Sequence, residues 1–386
     1  MKTKYLLLIF IVMLGCREKY VPQLHSNTNS FLVVEGFINA GTGPTTITLT
    51  KTVPINDTAG IVYEKNAIVR IEGKNNVTGF SLTETSPGVY TTPQLTINSN
   101  DQYRVYIKTK NGIEYVSDYS AIRHTPDIDS ISWKRYNGGV QILANTHDSQ
   151  NKTKYYQYSL DETWEFHSRY KSSLLPVYSA VQDLVGVKYR DPITKEVDTT
   201  IQKCWKNVLS SNILIGTTEK LSNDILSEFP LIFIEKDSWK LSVLYSILVK
   251  QYAMSQEKYR YYEQLKKNTE QIGSIFDAQP SDNSTNLHCL TDPALPVIGF
   301  VEVSEEKQTR IFISNQQVPD WSYDQGCANL IDVVNDKDSL QQLPPLMIPT
   351  VPSLLVRDVI QRVYFAHQLC VDCTLRGVNK KPAFWP

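Results

Sequence analysis

The sequence predicts a mostly β protein, and three observations predict it. Twenty-two tyrosines make Tyr the leading aromatic, and they alternate with Val, Ile and Thr in short runs, the pattern of a pleated, half-buried surface. Turn signals such as Ser86-Pro87-Gly88 and Asn137-Gly138-Gly139 punctuate those runs. The apolar period lengthens clearly to that of a helix after Ser255. Together these predict an N-terminal Ig-like or prealbumin-like β-sandwich, followed by a fibronectin type III-like sandwich with a long insertion and one clear helix.

Residues 1–15 read as a lipoprotein signal peptide. Lys2 and Lys4 give a positive start, and Tyr5 to Leu14 is apolar but too short to span a bilayer. Met13-Leu14-Gly15-Cys16 follows at once, so Cys16 is expected to carry diacylglycerol and an acylated amino group, a stable two-signal anchor. Residues 16–29 form the anchor and a polar tether containing Pro22. Without Lys2 and Lys4, the 39 basic residues fall to 37 against 40 acidic ones, a net charge of −3. Neither sign is gathered into a block, which excludes a nucleic-acid footprint. No later apolar run approaches the ~20 residues of a membrane span.

The first sandwich is expected over 30–122. Phe31 to Val34, Thr45 to Lys51, Ala67 to Ile71, Phe80–Leu82, Leu95–Ile97, Tyr103 to Ile107 and Ile113–Tyr115 alternate as strands, and Asn111-Gly112 offers the positive φ angles of a two-residue hairpin. His124 to Asp129 reads as a linker, since Pro126 biases Thr125 to extended backbone. The second domain is expected over 127–319. Ile131 to Trp133, Val140 to Leu143, Tyr155 to Phe166, Leu231 to Ile234 and Leu241 to Tyr252 are its strands, and 168–212 is an insertion without a clear period. Ser255 is a good N-cap for a helix over 256–272, whose stripe of Tyr261, Tyr262, Leu265 and Ile272 ends at Gly273. Val297 to Val303 and Thr309 to Ser314 are expected to pair as a hairpin. The remainder, 320–386, is a Cys- and Pro-rich segment with little core of its own.

With Cys16 lipidated, Cys204, Cys289, Cys327, Cys370 and Cys373 remain. In an oxidising compartment two disulfides and one leftover thiol are the simplest arrangement. The expected tie runs from Cys327 to Cys370 or Cys373, pinning the C-terminal segment. Competing chemistries carry less. His367, Cys370 and Cys373 with Cys327 would make a tetrahedral zinc set if the thiols stayed reduced. Cys370-Val-Asp-Cys373 has the redox C-x-x-C spacing but lacks the strand-then-helix context. Asp332, Asn335, Asp336 and Asp338 offer hard oxygens to Ca²⁺ without EF-hand order. Tyr155, Tyr156, Tyr158 and Trp164 would stack on a sugar if exposed, yet aromatic strand faces are more often core. Thr58, Thr199 and Ser339 follow Asp in an acceptor pattern for O-glycosylation in loops. There is no G-x-S-x-G elbow, H-E-x-x-H pair or Walker loop, so neither a cofactor nor an enzymatic role is expected.

A set of landmarks in fixed order carries a resemblance. They are Phe31-Leu-Val-Val-Glu-Gly36, Pro126-Asp-Ile-Asp129, Cys204-Trp205, Tyr245-Ser-Ile-Leu-Val-Lys-Gln251, Gly273-Ser-Ile-Phe-Asp277 with Gln279-Pro280, Val297-Ile-Gly-Phe300, Cys370-Val-Asp-Cys373, Gly377 and Lys381-Pro-Ala-Phe-Trp385. In these the chain resembles the uncharacterised Bacteroidota-type outer-membrane lipoproteins defined by a domain of unknown function. Members often carry Tyr at the position of Phe300 and Gly at that of Val378. The resemblance implies no catalytic residues. It implies a context, since such lipoproteins are commonly encoded beside TonB-dependent receptors. The expectation is an outer-membrane lipoprotein, periplasmic or surface-facing, that serves such a receptor in nutrient uptake as a non-enzymatic accessory or substrate binder. The alternative is an extracytoplasmic hydrolase of peptide, ester or glycan.

Overall fold

The computed structural model describes residues 30–53, 60–75, 79–270, 285–323 and 326–386. The described residues are mostly β and gather into three cores.

The first core fills a nearly closed twelve-stranded sheet. Leu32–Asn39 pairs antiparallel with Thr45–Lys51, and the alternation read from the sequence holds: Ile47, Leu49, Val69, Ile71, Val105 and Ile107 all point inward and are buried. Closure comes from far down the chain. Leu287–Cys289 adds antiparallel to Glu114–Ser117 at one end of the sheet, and Val297–Gly299 adds parallel to Leu32–Val34 at the other. Val303–Ser304 continues along Ile38–Asn39. The expected hairpin between 297–303 and 309–314 therefore does not form. Its first half completes the N-terminal sheet, while Glu306–Ser314 pairs along Leu244–Ala253. The Asn111-Gly112 turn also differs from expectation. The strands Gln102–Lys108 and Glu114–Ser117 are joined by five residues, because Thr109 accepts from the Ile113 and Gly112 N–H groups and opens the loop.

The second core lies between two sheets. One orders Ile128–Tyr136, Gly139–His147 and Ile225–Glu235 side by side; the other orders Lys203–Leu209, Tyr155–His167, Leu244–Ala253 and Glu306–Ser314, with Leu214–Thr217 also on Tyr155–His167. Asn137 (φ 46°) and Gly138 (φ 75°) make the two-residue turn expected between the first two strands. The helix Gln256–Glu270 follows Ser255, whose Oγ accepts from the Lys258 N–H at 2.9 Å as an N-cap. Residues 271 and 272 of the expected helix lie outside the described residues.

The insertion and the C-terminal segment, treated separately in the sequence, fold together. The hairpin of Leu174–Tyr178 and Leu184–Tyr189 packs on the sheet of Ile331–Val334, Val359–His367 and Met347–Val356 around buried Leu174, Leu340, Val363 and Phe365. The C-terminal segment thus has a core of its own, completed by the insertion. The Ser173 N–H donates to the Thr350 carbonyl at 2.8 Å, and the Ser172 hydroxyl to that of Pro349 at 2.9 Å. Cys204 bonds to Cys373, fastening this unit to the second core, whereas the expected Cys327 bond, to Cys370, closes a loop within the C-terminal segment, and Cys289 is buried and unpaired.

Candidate functional site

The first and second sheets meet at two crossings of the chain, 122–127 and 302–306, and polar groups are buried between them. Thr125 is fully buried, and its hydroxyl accepts from the Ala253 N–H at 2.9 Å and donates to the Glu305 carbonyl at 2.6 Å. The Ser304 hydroxyl reaches the Ala253 carbonyl at 2.8 Å, and Gln251 Nε2 donates to the Pro126 carbonyl at 2.9 Å. Glu302, also buried, accepts from the Ser255 N–H at 3.1 Å, which places a carboxylate at the helix N-terminus where the macrodipole favours it. Burial pushes the pKa of neighbouring Lys258 down, against the pull of Glu302 and with a further push from Arg123.

Beside this junction opens a cleft of 580 Å³ whose charged lining is Arg123, His124, Asp148, Lys152 and Lys154. Its geometry follows from a tight turn. Asp148 folds back to accept three backbone N–H groups at 2.9 Å, from Gln150, Lys152 and Thr153. Burial works against its ionisation, but those donors hold its carboxyl below the usual carboxylate range. Among the described residues Lys152 and Lys154 meet the neutral side chains of Gln150 (3.0 Å) and Asn151 (2.6 Å), whereas His124 pairs with Glu305 at 2.8 Å. The turn satisfies the Asp148 carboxylate with backbone donors and leaves two ammonium groups facing the cleft beside Arg123, which pairs with Glu302 at 3.7 Å. Such a field favours an acidic ligand or partner segment.

The structure separates the residues singled out in the sequence. Tyr156, Tyr158 and Trp164 are core, and Tyr155 is buried against Tyr259 with ring centroids 5.0 Å apart, so the sugar platform is absent. The zinc set is dissolved by the Cys327–Cys370 and Cys204–Cys373 bonds, and His367 Nδ1 accepts from the Leu369 N–H. The same bonds split the C-x-x-C pair between two partners. Asp332 is held by Ser353 and Arg362, and Asp336 caps the short helix Lys337–Leu340 through the Ser339 N–H at 2.9 Å, so these oxygens do not converge on a cation. Among the described residues no group of three or more His, Cys, Asp or Glu is placed to hold a metal. Thr199 is exposed in a turn, while Ser339 donates to Asp336 at 3.0 Å. Cys16 and Thr58 lie outside the described residues. No helix among the described residues is long and apolar enough to cross a membrane.

Arg123, His124, Lys152 and Lys154 were not singled out in the sequence. The signal available was the Lys-x-Lys spacing after an Asp-Ser-Gln-Asn turn, which puts both ammonium groups on one side of extended chain.

These features define a multi-module β protein whose first two modules are fused through a buried polar junction. Residues 17–310 match the model of a family described as a domain of unknown function, DUF4249, and the chain belongs to that family. No curated protein matches it.

Proposed function

We propose that this chain is an outer-membrane lipoprotein, anchored through Cys16, that assists a TonB-dependent receptor in nutrient uptake by binding rather than by chemistry. The observation that carries this reading is the basic cleft at the junction. It is built on the buried seam, carries Lys152 and Lys154 with no carboxylate partner among the described residues, and fits an acidic receptor segment or substrate. Anchoring both partners in one bilayer raises their effective concentration, so a weak contact suffices. The pairing order supports a fibronectin type III-like second module, with residues 168–202 inserted between its third and fourth strands.

Crosslinking in intact cells followed by affinity capture is expected to recover a TonB-dependent receptor, and Lys152→Glu with Lys154→Glu to lose it without changing thermal unfolding. Cys16→Ser is expected to abolish fatty-acid labelling and release the protein; retention after a salt wash would contradict the anchor. The hydrolase reading has one observation in its favour, the His124–Glu305 pair at 2.8 Å in the cleft. Turnover of a peptide, ester or glycan that is lost in His124→Ala, with no receptor recovered, would replace the binding role.

A further inference from the structure

One mouth of the nearly closed sheet holds polar groups that the fold itself leaves unused. Glu64 and Tyr115 are 4% and 3% exposed, and both line a cavity of 320 Å³ with Leu32, Lys51, Asn111 and Leu295. Their positions are fixed by pairing. Tyr115 stands opposite Ile107 in the sheet. Glu64 follows the strand Val62–Tyr63; its N–H donates to the Leu49 carbonyl at 3.0 Å and its carbonyl accepts from the Tyr90 hydroxyl at 3.0 Å. One carboxylate oxygen, Oε2, meets Lys51 Nζ at 2.6 Å. The other oxygen and the Tyr115 hydroxyl make no hydrogen bond to a described residue. Neither atom is sealed from solvent; both residues line the cavity, and convergent polar groups in a concavity are how a small-molecule site fixes its ligand.

We propose that this cavity binds a neutral polyhydroxylated ligand the size of one sugar ring. A volume of 320 Å³ is at the lower end for small-molecule sites. Charge selects against ions, because Lys51 opposes a cation and the buried Glu64 carboxylate opposes an anion. Hydrogen-bond chemistry selects for hydroxyls. The free carboxylate oxygen accepts, the Asn111 amide and Tyr115 phenol both donate and accept, and a sugar hydroxyl can answer each. Burial, with smaller contributions from Cys289 and Glu64, pushes the Tyr115 hydroxyl up to about 12, so it keeps its proton at neutral pH. Leu32 and Leu295 supply an apolar wall for the C–H face of the ring. This site stands on its own geometry and does not depend on the receptor reading.

The test is calorimetry and saturation-transfer NMR on the lipidated chain in detergent, with the methyl glycosides of glucose, galactose, mannose, xylose and N-acetylglucosamine, and with choline and phosphate as charged controls. At least one glycoside is expected to bind and neither control to do so. Tyr115→Phe removes only an unbonded hydroxyl, so it leaves the fold intact and is expected to weaken binding about tenfold, the effect of one hydrogen bond. Glu64→Gln is expected to weaken it further; should that variant unfold, Tyr115→Phe decides alone. Absence of glycoside binding at millimolar concentration, glycoside affinity unchanged in Tyr115→Phe, or binding of choline or phosphate in place of glycosides would each overturn the proposal.

Discussion

The indole Nε1 of Trp385 donates a 3.0 Å hydrogen bond to Glu165 Oε2, joining the C-terminal tail to the strand Tyr155–His167 at a sequence distance of 220 residues. Glu165 is buried there and also meets Lys203 Nζ at 3.0 Å and His167 Nε2 at 2.9 Å. Trp385 packs edge-on against Phe312, and the Arg310 guanidinium lies over Phe384 at 3.6 Å. The tail also pairs through its backbone, Trp205 and Val378 exchanging two hydrogen bonds of 2.9 Å. Gly377 permits that approach, since a Cβ there would meet the Trp205 carbonyl at 2.6 Å.

This makes the tail a structural cover of the second core. Trp385→Ala is expected to destabilise the protein by about 3–5 kcal/mol through lost packing, and Trp385→Phe by about 1–3 kcal/mol through the unpaired carboxylate oxygen. Burial opposes ionisation of Glu165, but Lys203, His167 and Trp385 hold its carboxyl below the usual range. A depressed folded-state pKa contributes stability that is present above the unfolded value of about 4.3 and is lost as pH falls through the folded one. Urea unfolding between pH 7 and pH 3 is expected to show a loss of stability below about pH 4.3 that is smaller in Trp385→Phe. Equal pH dependence in the two proteins would remove Trp385 from the network.

The two disulfides differ in the loops they close, with separations of 169 residues for Cys204–Cys373 and 43 for Cys327–Cys370. In the chain-entropy account these contribute about 5 and 4 kcal/mol respectively, as upper values. Cys204→Ser with Cys373→Ser is therefore expected to lower the melting temperature more than Cys327→Ser with Cys370→Ser. Peptide mapping without reduction should recover these two pairs, and Cys289 should resist alkylation until the first sheet unfolds. Stoichiometric zinc on a reduced protein would contradict the pairing.

Phe365 is fully buried in the third core, where the insertion hairpin and the C-terminal sheet complete one another. Phe365→Ala is expected to cost about 3–5 kcal/mol and to expose 174–189 to proteolysis although the substitution lies in a different part of the chain. Protection of that hairpin in the variant would show that it is held by other contacts.

The longer strands of the first sheet were legible because they bury one face and leave a period of two, as Ile47 and Leu49 or Val105 and Ile107 illustrate. Leu95–Ile97, expected as a strand, instead packs into the core from a loop, and the short Val62–Tyr63 and Val89–Thr92 were not read. Asn137-Gly138 was legible because its backbone angles demand those residues. Val297–Gly299 was not. Three residues carry no period, and a parallel partner at Leu32 is a non-local fact that only the assembled sheet supplies. The same holds for Leu174–Tyr178, whose partner core lies at Val363 and Phe365. Lys152 and Lys154 were not singled out, because only the topology sets Arg123 and the helix N-terminus beside them. Glu64 and Tyr115 are legible as a site only through what the fold leaves unbonded.

The seam between the first two modules rests on Thr125. Its hydroxyl accepts from the Ala253 N–H, donates to the Glu305 carbonyl and lies 3.1 Å from the Ser304 hydroxyl, all within fully buried surroundings. Thr125→Val preserves shape and removes the hydroxyl, leaving the Ala253 N–H and one carbonyl without a partner, and an orphaned buried group costs about 1–3 kcal/mol. Thr125→Ser keeps the hydroxyl and is expected to recover most of that loss. Because both crossings of the chain pass this point, the Val variant is also expected to loosen the modules before either unfolds, read as amide exchange at Ala253, Ser304 and Glu305 rising while Ile47 and Ile247 stay protected. Uniform loss of protection across both cores would instead mean that the two modules unfold as one cooperative unit.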